Sequence, residues 1–146
     1  MAVLDTEKYL DAVCRMISEG QSDVPVPIRG DSMVPFLRNA DFAYLTALPE
    51  KVKKGDMVLF RRPNGQYVLH RVHKILKNEQ YLLLGDSQTI PEPVHRDQFR
   101  AIVTHVKAGA QLLTPRDFRW WFYANLWRWL APWRVQIFRL WAKIRK

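Results

Sequence analysis

The sequence predicts a mainly β fold, with a small coiled antiparallel sheet or partly closed barrel between an N-terminal helix and C-terminal amphipathic helices. Short apolar stretches separated by turn residues recur through the middle of the chain, at a spacing typical of such sheets. A helical apolar stripe precedes them, and a segment rich in tryptophan and arginine follows them. We therefore divide the chain into a helix at 1–21, a β domain at 28–110 and a helical tail at 115–146.

The N-terminal segment has helical periodicity from Asp5 to Gly20. Its apolar residues share one stripe, and Gly20 can end the helix in a left-handed conformation. Two prolines within residues 22–27 cannot continue a helix, so this stretch is predicted to be a linker. Cys14 lies on the apolar side of the helix and is interpreted as a core residue. A single cysteine excludes an intramolecular disulfide, and a reducing compartment is the simplest interpretation.

The central region contains five strand-like stretches, at residues 42–48, 57–62, 66–76, 81–85 and 99–106. Pro63-Asn64-Gly65 separates the second from the third and is a strong hairpin signal, because Asn-Gly tolerates positive φ. Five or six strands of this length favour a small antiparallel sheet, and 146 residues suffice to bury its core.

The tail differs from the rest of the chain in its aromatic residues and its charge. All six tryptophans lie between Trp120 and Trp141, and Pro132 is predicted to divide the segment into helices at about 115–130 and 133–145. Residues 111–146 carry +7 of the formal net charge of +9, so the body carries +2. Indole rings favour the lipid headgroup boundary and basic residues attract anionic lipids, so the tail is predicted to bind a membrane surface. The alternatives are that its aromatic residues cover the open face of the sheet or bind a partner protein.

Four motifs follow one another in the central region: Gly30-Asp31-Ser32-Met33-Val34-Pro35, Gly55-Asp56-Met57-Val58-Leu59-Phe60, Val68-Leu69-His70-Arg71-Val72 and Leu84-Gly85-Asp86-Ser87. In this order and spacing they resemble the signal peptidase/LexA-type serine peptidase superfamily, over about residues 28–108. Each motif alone is weak, and their order makes the resemblance specific. The histidine in H-R-V is similar to the endoplasmic-reticulum-type branch, whereas bacterial signal peptidases and LexA-type repressors have a lysine as the base.

The resemblance implies a serine peptidase site in which Ser32 is the nucleophile, His70 the general base and Asp86 the residue that orients His70. The residue types support the same assignment. A serine hydroxyl needs a base within hydrogen-bond reach, and histidine titrates near neutral pH. An acidic partner on the other ring nitrogen would fix the tautomer and stabilise the imidazolium.

Residues close to Ser32 are expected to shape the site. The backbone N–H of Ser32 would form the oxyanion hole. Gly30 occupies the position at which many signal peptidases have a serine, so a side-chain donor is missing there, and a glycine lets the backbone approach a peptide. Met33 and Pro35 are predicted to shape the turn and the adjoining S1 wall. Ser87 has no following Met-x-Pro and is interpreted as a turn hydroxyl.

These observations predict a signal-peptidase-like serine endopeptidase that cleaves a peptide or precursor protein at the cytoplasmic face of the membrane. The N-terminus has no signal-peptide pattern, and no stretch approaches the roughly 18–20 apolar residues of a membrane span, so we expect a peripheral location on the inner face. The four histidines show no metal-ligand spacing, and we expect neither a metal nor a cofactor. Nucleic acid is not an expected partner, because the body is nearly neutral. The alternative function is a catalytically weak or inactive peptide-binding module of the same fold.

Overall fold

The computed structural model describes residues 3–144, with side chains from Glu7 onward, and shows one open antiparallel sheet with helices at both ends of the chain. The predicted mainly β class is confirmed. Helix α1 (Val3–Ser18) is followed by eight strands: β1 (Val24–Pro27), β2 (Phe42–Thr46), β3 (Met57–Arg61), β4 (Tyr67–Ile75), β5 (Gln80–Leu84), β6 (Glu92–His95), β7 (Phe99–Ala108) and β8 (Gln111–Leu113). The strands lie in the order β1-β2-β7-β3-β4-β5-β6, with β8 paired to β7.

The central strand β3 contributes to hydrophobic clusters on both faces of the sheet. Met57 and Leu59 belong to the larger cluster, whereas Val58 and Phe60 belong to the smaller one. Successive strand residues point to opposite faces, so a continuous apolar stretch of this kind is the pattern of a strand covered on both sides. Helix α1 and the first part of the tail both pack against the larger cluster.

The prediction of a linker at residues 22–27 is wrong, because this stretch contains strand β1. Its valines, Val24 and Val26, are buried, while Pro25 is exposed. Proline cannot donate a hydrogen bond to a neighbouring strand, but an edge strand has one side that needs no donors. β1 lies at the edge of the sheet and pairs with β2 alone.

Strand β4 changes partners along its length. The hairpin at Pro63-Asn64-Gly65 is confirmed, with Gly65 at φ 93°, and residues 67–71 of β4 pair with β3. The pairing with β5 begins only at Arg71 and continues to Ile75. Among the described strands, the first half of β4 therefore has a neighbour on one side only.

The tail consists of short helical segments that break at the predicted proline. Helix α2 (Phe118–Trp121) continues into a π-helical stretch (Phe122–Trp127), a 3-10 turn contains Pro132, and helix α3 covers Arg134–Ile144. The tail is two-faced: two indoles, Trp120 and Trp127, are buried, and the other four are 49–63% exposed. Within residues 3–144, no helix combines the length and the apolar character that crossing a bilayer requires.

Candidate active site

Ser32 and His70 line the same cavity, which has a volume of about 310 Å³. Ser32 lies in the turn that follows β1. His70 lies next to Arg71, the residue at which β4, already paired with β3, begins to pair with β5 as well. The end of β1 forms one side of the cavity, the start of β4 forms another, and Leu10 of α1 contributes to its wall. The structure therefore brings together the predicted nucleophile and the predicted base.

The turn around Ser32 combines a glycine in the left-handed conformation with buried residues. Gly30 has φ 81°, a left-handed conformation that favours glycine, and its N–H donates to Asn39 Oδ1 over 3.1 Å. Met33 is 2% exposed and lines the cavity, as expected of a wall residue. Pro35 lies in the same turn but outside the cavity lining.

His70 is a buried, neutral imidazole. Its side chain packs edge-on against Phe60, with 6.0 Å between the ring centroids. Burial lowers the pKa of His70 from its usual 6.5 to about 4, because the charged ring would lose its hydration. The expectation of a base that titrates near neutral pH is thus corrected: at neutral pH the ring is already an unprotonated acceptor. Among the described residues, its Nδ1 atom has no hydrogen-bond partner.

Asp86 was predicted to contact His70, but its carboxylate is bound to Arg71 instead. Arg71 Nε and Nη2 donate to the two carboxylate oxygens, each over 2.9 Å, and both side chains are at most 1% exposed. His70 and Arg71 are consecutive residues of β4 and so point to opposite faces of the sheet. Asp86 therefore binds the arginine on the face of β4 that is opposite to His70.

The acidic residue whose charge acts on His70 is Glu92 of β6. Leu83 of β5 pairs with both Glu92 and Val72 of β4. Val72 is two residues from His70, so Glu92 and His70 lie on the same face of the sheet. The Glu92 carboxylate raises the pKa of His70, in opposition to burial, and Arg62 acts in the opposite direction. Glu92 is held by Arg62, whose Nε and Nη2 donate to its two oxygens over 2.8 Å.

No pattern in the sequence indicated that Glu92 and Arg62 pair. Prolines flank Glu92 on both sides, which hid the short strand β6, and Arg62 is thirty positions away in the chain. The residues meet only because β4, β5 and β6 are neighbours in the sheet.

The two Gly-Asp-Ser triplets of the chain are in contact. Ser87 donates from its backbone N–H and from Oγ to the carbonyl oxygen of Ser32, each over 3.0 Å, and Oγ lies 2.9 Å from the Asp31 carbonyl. A Cβ atom on Gly85 would lie 2.5 Å from the Ser32 carbonyl oxygen, so only glycine permits this approach. Ser87 is therefore more than a turn hydroxyl, since it holds the backbone of the predicted nucleophile.

A family model described as Peptidase S24-like matches residues 1–106. The chain belongs to the Peptidase S24-like family. Membership supports the LexA/signal peptidase superfamily to which the four motifs pointed, and with it a peptidase-like fold. The tail lies outside the matched residues. A search of curated proteins finds no match to this chain.

We predict that His70 in the folded protein takes up a proton with a midpoint near pH 4, well below 6.5. Replacing Glu92 with Gln should lower this midpoint further, because the negative charge that favours the imidazolium is removed. The folded ring resists a proton that the unfolded chain accepts, so this histidine's contribution to stability is complete above pH 6.5 and is lost as the pH falls toward 4. NMR titration of the ring protons measures the midpoint directly, with His70→Gln assigning the signal.

Glu50→Gln, at an exposed site, is the matched control and should leave the midpoint in place. A midpoint at or above 6.5 in the folded protein, or one that Glu92→Gln does not move, would contradict this account of the site.

Proposed function

We propose that this protein is a serine endopeptidase in which Ser32 is the nucleophile and His70 the general base. The observation that carries the proposal is that Ser32 and a buried, unprotonated histidine line one cavity bordered by two strand edges. Family membership supports a peptidase-like fold. The histidine base is the feature that makes the chain similar to the endoplasmic-reticulum-type branch of the superfamily.

The chemistry assigned to the pair is acyl transfer. Ser32 Oγ attacks the carbonyl carbon of the scissile peptide bond, and its proton passes to the His70 ring. The backbone N–H of Ser32 faces the oxyanion of the tetrahedral intermediate. When the C–N bond breaks, His70 returns the proton to the leaving amine. Water, deprotonated by the same ring, then hydrolyses the acyl-enzyme.

Burial gives this base a benefit and a cost. A pKa of about 4 leaves the ring free to accept a proton at neutral pH, but the imidazolium that forms is poorly hydrated. Glu92 is the residue that offsets this cost, because its charge favours the protonated ring. We assign Glu92 the electrostatic role that Asp86 was expected to fill, with Arg62 fixing its position.

The proposed substrate is a peptide or precursor-protein segment in an extended conformation. The end of β1, at residues 26–27, and the start of β4, at residues 67–70, both line the cavity. Each strand has one backbone edge without a neighbouring strand in the described sheet at these positions. An extended peptide can add to such an edge through main-chain hydrogen bonds, while its side chains enter the cavity.

Incubation with a peptide library tests the proposal. Wild type should cleave a subset of peptides, and Ser32→Ala and His70→Ala should each lower kcat/KM by at least about 10³-fold, because nucleophile and base act as one unit. Ser22→Ala, which removes an exposed hydroxyl outside the cavity, should retain full activity. Product formation followed by mass spectrometry gives both the rates and the cleaved bonds.

A folded wild type that binds peptides without cleaving them would overturn the peptidase assignment. That outcome would instead support a peptide-binding module, consistent with the missing side-chain donor at Gly30.

We also propose that the exposed face of the tail binds an anionic membrane surface, the cytoplasmic face of the membrane being the expected one. The face presents four half-exposed indoles together with Phe118 and Ile144, which are 75% and 72% exposed. Its charged neighbours are basic, and the one acidic residue of the tail, Asp117, is engaged in hydrogen bonds with Thr114. Aromatic and basic groups on one face suit a lipid headgroup layer better than a neutral protein partner.

Flotation with lipid vesicles tests this face. Wild type should float with vesicles containing anionic phosphatidylglycerol and much less with neutral phosphatidylcholine, and 0.5 M salt should weaken the binding through charge screening. Combined Trp129→Ser and Trp141→Ser substitutions should abolish most flotation, because both side chains are exposed.

Leu76→Ser, which removes an exposed leucine from the β4–β5 turn, is the control and should float like wild type. Equal flotation of the double variant and wild type would contradict the proposal, as would a tryptophan-dependent dimer in solution.

A further inference from the structure

The buried face of the tail contacts the Gly85–Gln88 turn, whose Ser87 is hydrogen-bonded to the Ser32 carbonyl. Arg134 is 1% exposed, and its Nη1 donates to two carbonyl oxygens of this turn, Gly85 over 3.0 Å and Gln88 over 2.9 Å. Its Nη2 donates to the Trp127 carbonyl over 3.2 Å, which joins the two parts of the tail across Pro132. One guanidinium therefore bridges the turn and the tail.

Trp127 makes a second contact with the same turn. Its indole N–H donates to the Asp86 carbonyl oxygen over 2.7 Å, and the Arg134 guanidinium lies 5.1 Å from the ring centroid. The indole is 7% exposed, so the hydrogen bond is shielded from water. Together the two side chains occupy the carbonyl groups of three of the four residues in Gly85–Gln88.

The turn transmits this placement to the nucleophile. Ser87, at its centre, donates twice to the Ser32 carbonyl oxygen, and Gly85 allows the two backbones to approach closely. Trp127 and Ser32 are thus linked by the Asp86–Ser87 backbone, with one hydrogen bond from the tail at one end and two to Ser32 at the other.

The tail also contacts the turn around Ser32 directly, at Phe36. This side chain is fully buried, with the rings of Trp120 and Tyr123 at centroid distances of 5.7 and 5.2 Å. Arg119 Nη2 donates to the Phe36 carbonyl over 3.1 Å. The segment around Ser32 is therefore held by the tail on two sides, four residues apart.

We propose that Trp127 and Arg134 are positioning residues for Ser32, so that the tail is an integral part of the active site and not a separable anchor. The inference rests on the proposed peptidase function. Acyl transfer requires the nucleophile and the base to be aligned, and a displacement of about 1 Å can cost about 100-fold in rate. Releasing the turn would free the Ser32 backbone while leaving the cavity walls formed by α1, β1, β3 and β4 intact.

Kinetics on a peptide that wild type cleaves test this inference. Trp127→Phe retains an aromatic ring, although a smaller one, and removes the N–H donor, and Arg134→Gln removes the bridging guanidinium. Each should lower kcat by 10- to 100-fold with KM changed less than threefold, because alignment is lost while most of the cavity lining remains. Arg134→Lys should recover part of the loss, since an ammonium can still donate to a carbonyl.

Matched controls remove equivalent bonds elsewhere. Ser18→Ala deletes the hydroxyl that donates to the Arg15 carbonyl, and Arg96→Gln deletes a guanidinium that donates to the Pro49 and Glu50 carbonyls. Both should keep wild-type kcat. Ser87→Ala, which weakens the same linkage without altering the tail, should lower kcat, and its combination with Trp127→Phe should cost less than the product of the two effects.

Circular dichroism and thermal unfolding identify the variants that fold. Unchanged kcat in folded Trp127→Phe and Ser87→Ala would overturn the inference, as would a change confined to KM. These outcomes are distinct from failure of the proposed function, in which wild type itself cleaves nothing.

Discussion

A buried ion pair between Arg71 and Asp86 holds the parts of the site together. The Arg71 guanidinium binds both Asp86 oxygens, donates to the Gly55 carbonyl over 2.8 Å and lies 5.2 Å from the centroid of Phe36. The Arg71 side chain therefore connects strand β4 with the turn at Gly55, the turn at Asp86 and the turn around Ser32. Removing two charges from water is expensive, and bidentate geometry with every oxygen occupied is what makes such a pair tolerable. Loss of either partner would leave an uncompensated charge beneath the site.

This pair also explains how the neighbouring residues His70 and Arg71 divide their tasks. Alternation along β4 directs the histidine to the face of the smaller cluster, where it packs on Phe60, and the arginine to the opposite face, toward Phe36 of the larger cluster. Burial keeps His70 unprotonated, whereas Arg71 binds Asp86 in the Gly85–Gln88 turn, which also contacts the tail. The support of the turn around Ser32 thus comes from the Arg71 face of the strand. The tail, outside the residues matched to the peptidase family, completes that support.

Local patterns predicted the fold well and the partnerships of charged residues poorly. Alternating apolar stretches and the Asn-Gly turn depend on neighbours in sequence, so most strands and the β3–β4 hairpin could be predicted. Strand β1 could not, because its prolines mimic a linker and only its place at the sheet edge makes them acceptable. Motif order indicated Ser32 and His70 as candidates, but Asp86 could have turned toward either face of β4. The position of Glu92 on the same face as His70 depended on the order of three strands. The depressed pKa of His70 depended on burial that no single motif encodes.

The claim that this cavity activates Ser32 is tested most directly by locating the adduct of a fluorophosphonate probe. A fluorophosphonate reacts with an activated serine and spares ordinary hydroxyls, so digestion and mass spectrometry of the labelled protein identify the residue. The structure predicts one adduct, on Ser32, that disappears in His70→Ala, while Ser87 in the second Gly-Asp-Ser triplet stays unmodified. Folded wild type that takes up no probe, or that carries the adduct on Ser87, would contradict the account.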